Sequence, residues 1–450
     1  MRRHTVLRAR PAHRTTGVAL LVLAGWVPLA CTPDPVPFAP TTERVSVGTA
    51  DAQIDWGRGG SLSDDGRWVA FTTLGDVDPN DNNGLEDVYV RNPDDLTTRW
   101  MTPTPFGPPN GASYEPQLSG NGKNVTYTST ASNLSFWDSN GVSDVYFTNV
   151  LAGVPLAVSA LGGTIPVIGN GASFGAKPDF DGNVIAFTTE ANNLTTGDTN
   201  GVSDAVVRDM LTGQISTVSV APDGSPGNGL SVVTDISGDG RYVAFLSLAS
   251  NLVAGDTAST VDAFVRDRVE ETTTRAGRGG TSLATVSDDG RYVTYASSAP
   301  DLVAGDTNGV NDVFRTDLVA GTTVRVSVAP DGGQYSVDTR SVGASNDGRD
   351  VLFYVTGSAN PDFDGTGVVR DIDAATSTVV TKRTAPQVVS PTTLATPPDI
   401  DMPVSLFRTV GRWAEIALSG DGRAVAWTTL AVAPGDTNAN YDVYRRWWRS

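Results

Sequence analysis

The chain has 450 residues, with 32 basic against 50 acidic side chains, a formal charge of -18, one cysteine and two histidines. So acidic a chain repels nucleic-acid phosphates and anionic lipid headgroups, which excludes DNA, RNA and direct membrane-surface binding and favours cationic partners. Both histidines, His4 and His13, stand within the first thirty residues, so a domain cut free of them has no Ser-His-Asp or Cys-His mechanism and no ordinary zinc site.

In chain order, residues 1–30 read as an export signal. Arg2, Arg3, Arg8, Arg10 and Arg14 precede an apolar run, Gly17 to Ala30, that is too short to span a bilayer comfortably. Without this segment 27 basic residues face 50 acidic ones, a charge of -23. Cys31, the only cysteine, follows directly in the order Leu29-Ala30-Cys31, which resembles the lipobox of bacterial lipoproteins although Pro28 replaces the usual leucine. That resemblance implies lipidation of Cys31 and anchoring to the outer face of the cell membrane, the lipid being the only membrane contact; the alternative is a plain secretory signal and a secreted protein. Residues 31–42, rich in Pro and Thr, read as an extended spacer.

From Glu43 onward one pattern recurs seven times. It opens on a turn of the Ser-x-Asp-Gly-Arg type, as at Ser63 to Arg67, Ser237 to Arg241, Ser287 to Arg291, Ser345 to Arg349 and Ser419 to Arg423, with variants at Ser119 to Lys123 and Phe180 to Asn183. The turn glycines are spaced 56, 60, 58, 50, 58 and 74 residues apart, the length of one four-stranded sheet with its loops. Asp-Gly and Asn-Gly centre tight hairpins because glycine takes positive φ without steric cost. Short apolar alternations follow, such as Tyr242-Val243-Ala244-Phe245, then an acidic loop, a strand such as Asp87-Val88-Tyr89-Val90, and a fourth such as Val324 to Val328. The spacing predicts an all-β, seven-bladed β-propeller of four-stranded blades over residues 43–450.

The turn-and-strand signature followed by Asp-Val-Tyr/Phe resembles the WD40-like repeat of TolB-type β-propellers. The resemblance implies an extracytoplasmic, non-enzymatic interaction scaffold. Two departures stand out: the family's founding member places an α/β domain before its propeller, for which this chain has no room, and its blades are shorter. Ring closure follows from the ends. The chain finishes on a third strand, Asp442 to Arg445, and Arg44 to Val47 reads as a fourth strand without predecessors. The N-terminal strand is therefore expected to complete the last blade.

The acidic loops repeat the order D-x-N-G-x-x-D. Four are complete: Asp81, Asn83 and Asp87; Asp138, Asn140 and Asp144; Asp198, Asn200 and Asp204; Asp306, Asn308 and Asp312. The order resembles the front half of calcium loops, so calcium is one expectation, bound weakly in the extracellular range. The other is that Asp and Asn cap turn backbone and recur because the scaffold recurs. Degraded copies keep Asp256 and Asp262, Asp362 and Asp364, and Asp436, Asn438 and Asp442. A proline-rich insertion, residues 382–410, is a candidate recognition loop. No catalytic residue or organic cofactor is indicated, and the expected function is a monomeric binding scaffold for an envelope protein or cell-wall polymer. The alternative is a glycan-cleaving propeller of sialidase-like type, for which the spacing of Arg325, Arg340 and Arg408 offers no support.

Overall fold

Each Ser-x-Asp-Gly-Arg turn is a self-contained hydrogen-bond unit. In the first, Ser63 Oγ donates to Asp65 Oδ1 at 2.6 Å, Asp65 Oδ1 accepts the Arg67 amide at 3.1 Å, and Ser63 Oγ accepts the Trp68 amide at 3.0 Å. Gly66 sits at φ 67°, where a β-carbon would strain the chain. The same bonds recur at Ser237, Ser287 and Ser419. Three of the arginines run on to grip an aspartate at the end of the third strand: Arg241 with Asp267, Arg291 with Asp317 and Arg349 with Asp371.

The structure, a computed structural model, describes residues 41–48, 52–54, 56–105, 107–162, 166–256, 260–329, 331–356, 365–381, 416–429 and 441–448. The leader, Cys31, the insertion 382–410, and Asp362, Asp364, Asp436 and Asn438 lie outside the described residues. The fold is a seven-bladed β-propeller of antiparallel four-stranded sheets, as the spacing predicts. Blade 1 runs outward from the axis as Arg58–Leu62, Val69–Thr73, Asp87–Asn92 and Thr97–Trp100. The innermost strands of the next six blades are Ser113–Leu118, Ser173–Pro178, Ser231–Ile236, Ser282–Val286, Thr339–Ala344 and Ile416–Leu418. These inner strands touch their neighbours around the ring, Ile416–Leu418 returning to Arg58–Leu62.

The core lies between blades. Ala70, Val88, Val90 and Met101 of blade 1 pack with Leu118, Val125, Tyr127 and Tyr146 of blade 2, and equivalent clusters follow around the ring. The aromatic residues of the second and third strands pair in register, Phe71 with Tyr89, Tyr127 with Tyr146, Phe245 with Phe264 and Tyr295 with Phe314, their centroids 5.6 to 6.1 Å apart. Each such side chain contributes on the order of 2–3 kcal/mol by leaving water.

Closure is by the N-terminal strand, with a correction of register. The outer strand of blade 7 is Thr41–Arg44, pairing Thr41 with Trp447 and Arg44 with Tyr444, not Arg44 to Val47, and it begins two residues inside the segment read as spacer. The alternation of Val45 and Val47 reports burial rather than pairing. At Val45 the chain leaves the ladder, the Val45 and Ser46 amides both donating to the Val443 carbonyl at 2.7 and 3.3 Å, while both valines enter the core. Blades 2, 3 and 5 repeat this exit at Val158, Val218 and Val326.

On the opposite face the seven turns are bonded to one another. Asp64 N donates to Gly120 O, Asn121 N to Phe180 O, Phe180 N to Gly238 O, Asp288 N to Asn346 O, Asn346 N to Gly420 O and Asp421 N to Asp64 O, all at 2.8 to 3.0 Å. The remaining junction is made by Gly238 N donating to Asp288 Oδ1 at 2.7 Å. Asn346 Nδ2 donates to Asp64 Oδ2 at 2.7 Å. Large and absent side chains alternate along this belt: a β-carbon on Gly120 would fall 2.5 Å from Phe180 and 2.6 Å from Asp64, and one on Gly420 would fall 2.5 Å from both Asn346 and Asp64.

Candidate binding site at the rim and in the channel

In all four complete loops the asparagine folds the turn. Its Oδ1 accepts the backbone N–H two residues on, from Leu85, Val142, Val202 or Val310. Its Nδ2 donates twice, to the second aspartate and to a backbone carbonyl of the connection into the next blade: Pro109, Gly169, Gly227 or Tyr335. The backbone carbonyl among these partners can only accept, which fixes the orientation of the amide. The second aspartate in turn accepts from a hydroxyl where the outer strand ends: Asp87 from Thr102, Asp144 from Ser159, Asp204 from Ser219, Asp312 from Ser327, and Asp442 from Ser46. The acidic loops and the inter-blade connections therefore share one rim.

The first aspartate has no common partner. Tyr89 and Tyr146 donate their hydroxyls to Asp81 and Asp138. Arg325 lies 3.2 Å from Asp306 and 3.4 Å from Asp312, and Arg275 lies 3.3 Å from both Asp256 and Asp262. Burial raises the carboxyls of Asp138 and Asp204 and pushes Asp144 up to about 7, against the hydrogen bonds from Ser159 and Asn140. Burial likewise raises Asp81 and Asp87, each also feeling the other. A cation of the calcium class wants six or more oxygens; here each asparagine oxygen accepts a backbone amide, the asparagine N–H groups face the second carboxylate, blade 5 seats a guanidinium, and among the described residues no cluster of metal-ligating side chains forms. The capping reading of the loops describes what the side chains do.

The channel holds a group of residues that belong to neither the turn nor the acidic-loop motif. The residue two places before each turn is Ser61, Gln117, Lys177, Asp235, Thr285, Gly343 and Ala417 around the ring; each pairs with the equivalent position of its second strand. Lys177 Nζ donates to Gln117 Oε1 at 2.9 Å and is attracted by Asp235 and Glu115. Asp235 Oδ2 accepts the Val286 amide at 2.9 Å. Glu115 occupies a β-bulge at φ 56°, where blades 1 and 3 place Gly59 and Gly175 in equivalent bulges; a non-glycine residue there stores about 1–2 kcal/mol of strain. Burial pushes Glu115 up to about 7 despite Lys177, raises Asp235 to about 6 and depresses Lys177. Glu86, raised by burial, takes the Thr72 hydroxyl and faces Arg58. Arg58 lies 5.7 Å from the rings of both Trp56 and Tyr441. Aligning the repeats on their turns would have exposed Gln117, Lys177 and Asp235. Of the arginines weighed for a sialidase-like site, Arg325 is spent on the rim of blade 5, Arg340 stands on the inner strand of blade 6, and Arg408 lies outside the described residues.

No protein-family model matches the chain, and no curated protein matches it in sequence. Solved structures of related architecture include an oligogalacturonate lyase from Vibrio parahaemolyticus, at 12% identity over 91% of this chain and 97% of that one, with a TM-score of 0.53. An oligogalacturonate lyase in complex with manganese gives 12% identity, 92% and 97% coverage, and a TM-score of 0.51. TolB from Acinetobacter baumannii gives 15% identity over 72% of this chain, with a TM-score of 0.40, and the match spans 62% of that TolB chain. At these identities the likeness is one of fold.

Proposed function

We propose that the chain is a non-catalytic binding propeller, exported and held at the outer face of the cell membrane through a lipid on Cys31, that engages an envelope protein or cell-wall polymer in its channel. One observation carries this reading. The inner-strand position two residues before each turn is small on four blades, at Ser61, Thr285, Gly343 and Ala417, but polar or charged on three successive ones, at Gln117, Lys177 and Asp235. A scaffold that repeats for architecture alone has no reason to decorate one side of its channel. Lys177 is flanked by Gln117, Asp235 and Glu115, so these groups orient a ligand and do not constitute a free nucleophile with its base.

Glycan cleavage is the second reading, and one feature favours it: Glu115, held near 7, shares the channel with Glu86, whose charge raises it further, an arrangement able to keep one carboxyl protonated beside another. One assay separates the two. Mature domain incubated with isolated cell-wall polysaccharide is expected to sediment with it and to release no reducing ends, with retention reduced in Arg58→Ala and Lys177→Met. Accumulating reducing ends that Glu115→Gln abolishes would establish the enzyme. Fractionation of Cys31→Ser, expected to shift the protein from membrane to medium, tests the anchor.

A further inference from the structure

The gap between the two aspartates of a rim loop holds a cation wherever the outer strand supplies one. Arg275 of blade 4 and Arg325 of blade 5 bridge their aspartates at 3.2 to 3.4 Å, and Arg44 of blade 7 lies 3.5 Å from Asp442. All three arginines occupy the same place in the ladder, opposite Phe264, Phe314 and Tyr444, the third residue of the third strand. Blade 6 has lost both sides together: Thr366 stands at the acid's position and Val379 at the arginine's. Blades 1 and 2 lack the arginine, having Trp100 and Ala157 there, but bring in the hydroxyls of Tyr89 and Tyr146.

Blade 3 keeps both acids and has neither answer. Opposite each other stand Val206 and Thr217. Asp198 Oδ1 is shut off from water without a hydrogen-bond donor, although the residue lies between the exposed Gly197 and Thr199. Asp204 is buried and receives only Ser219 and Asn200.

We propose that blade 3 takes from outside the group that blades 4, 5 and 7 provide from within: the guanidinium of an arginine on a bound peptide or protein, seated between Asp198 and Asp204. The equivalent residues of blades 4 and 5 hold that group, so slot and ligand are matched inside the same molecule. A planar fork with several N–H donors suits two carboxylates presented side by side, whereas a metal ion would meet the N–H face of Asn200. The charge of -23 draws basic segments to this rim. The slot is independent of the channel and stands or falls separately from any ligand there.

The test is titration of the mature domain with N-acetyl-argininamide, followed by NMR shifts of the Asp198 to Asp204 loop and by melting temperature. Binding is expected in the millimolar range, and about tenfold weaker or worse in Asp198→Asn, since that variant removes one of the two charge partners. Thr217→Arg is expected to raise the melting temperature and abolish the response, and adding Asp198→Asn to it to cancel the gain. If Thr217→Arg does not fold, Asp198→Asn alone decides. An unchanged response in either variant overturns the proposal, as does a loop that answers to calcium but not to the argininamide. A response to N-acetyl-glycinamide equal to that of the argininamide overturns it too.

Discussion

Glu115 combines three properties that rarely coincide: a left-handed backbone, burial in a channel, and a carboxyl raised to about 7 from an ordinary 4.5. A carboxyl whose folded value lies above its unfolded one binds more protons in the native state between those two values, so the stability it lends is full below about 4.5 and is lost as pH rises through about 7. Glu115→Gln, neutral throughout, is therefore expected to be more stable than wild type at pH 8 by about 1–3 kcal/mol, with the difference shrinking toward pH 4.5. Urea melts at the two pH values check this, and an equal difference at both would show that the carboxyl is not the group responsible. The residue was invisible in the sequence for a physical reason. Its neighbours Lys177 and Thr128 come from another blade and from another strand, and nothing local to Tyr114-Glu115 marks a bulge where blades 1 and 3 use glycine and blade 5 uses Leu283. The same holds for the asparagines: whether Asn140 coordinates a cation or donates depends on the Gly169 carbonyl, 29 residues downstream.

Among the elements, Thr41–Arg44 is the one whose loss opens the ring, and a single side chain fastens it across the seam. Arg445, 1% exposed, donates to Glu43 Oε1 at 2.7 Å, to the Gly66 and Arg67 carbonyls at 2.9 and 3.1 Å, and to Asp94 at 2.9 Å. It thus joins the third strand of blade 7 to its N-terminal partner on one side and to blade 1 on the other. Arg445→Met is expected to cost about 1–3 kcal/mol, because it strands the Gly66 and Arg67 carbonyls, while Glu43 and Asp94 remain open to water. Deleting residues 41–44 is expected to lower the melting temperature in one cooperative step and to promote self-association through the exposed third strand of blade 7. Scanning calorimetry with light scattering checks both. The strand deficit at the two chain ends made closure legible in the sequence, and the number of turns made the blade count legible. Register was not, since Val45 and Val47 alternate like a paired strand while the ladder has already ended.

For the whole molecule, the orientation of the four asparagines predicts that calcium and chelator give the same melting temperature. Weak calcium sites would each add roughly 1.4 kcal/mol at a tenfold excess over their dissociation constant, so a calcium-dependent rise of several degrees would overturn this account of the loops. The belt of turns makes a separate prediction. Gly120→Val is expected to destabilise by about 1–3 kcal/mol through overpacking against Phe180 and Asp64, whereas Gly84→Ala, which meets no neighbour, costs only the strain of its positive φ; denaturant melts of the two compare them. The belt also bears on what kind of guest the propeller accepts. Asp64, Phe180, Asp288 and Asn346 stand on turns bonded to one another from blade to blade, so this face of the ring is braced and yields little to a guest. A polymer is expected to approach from the opposite face, where the acidic loops stand, offering a free end, a side branch or a protruding loop.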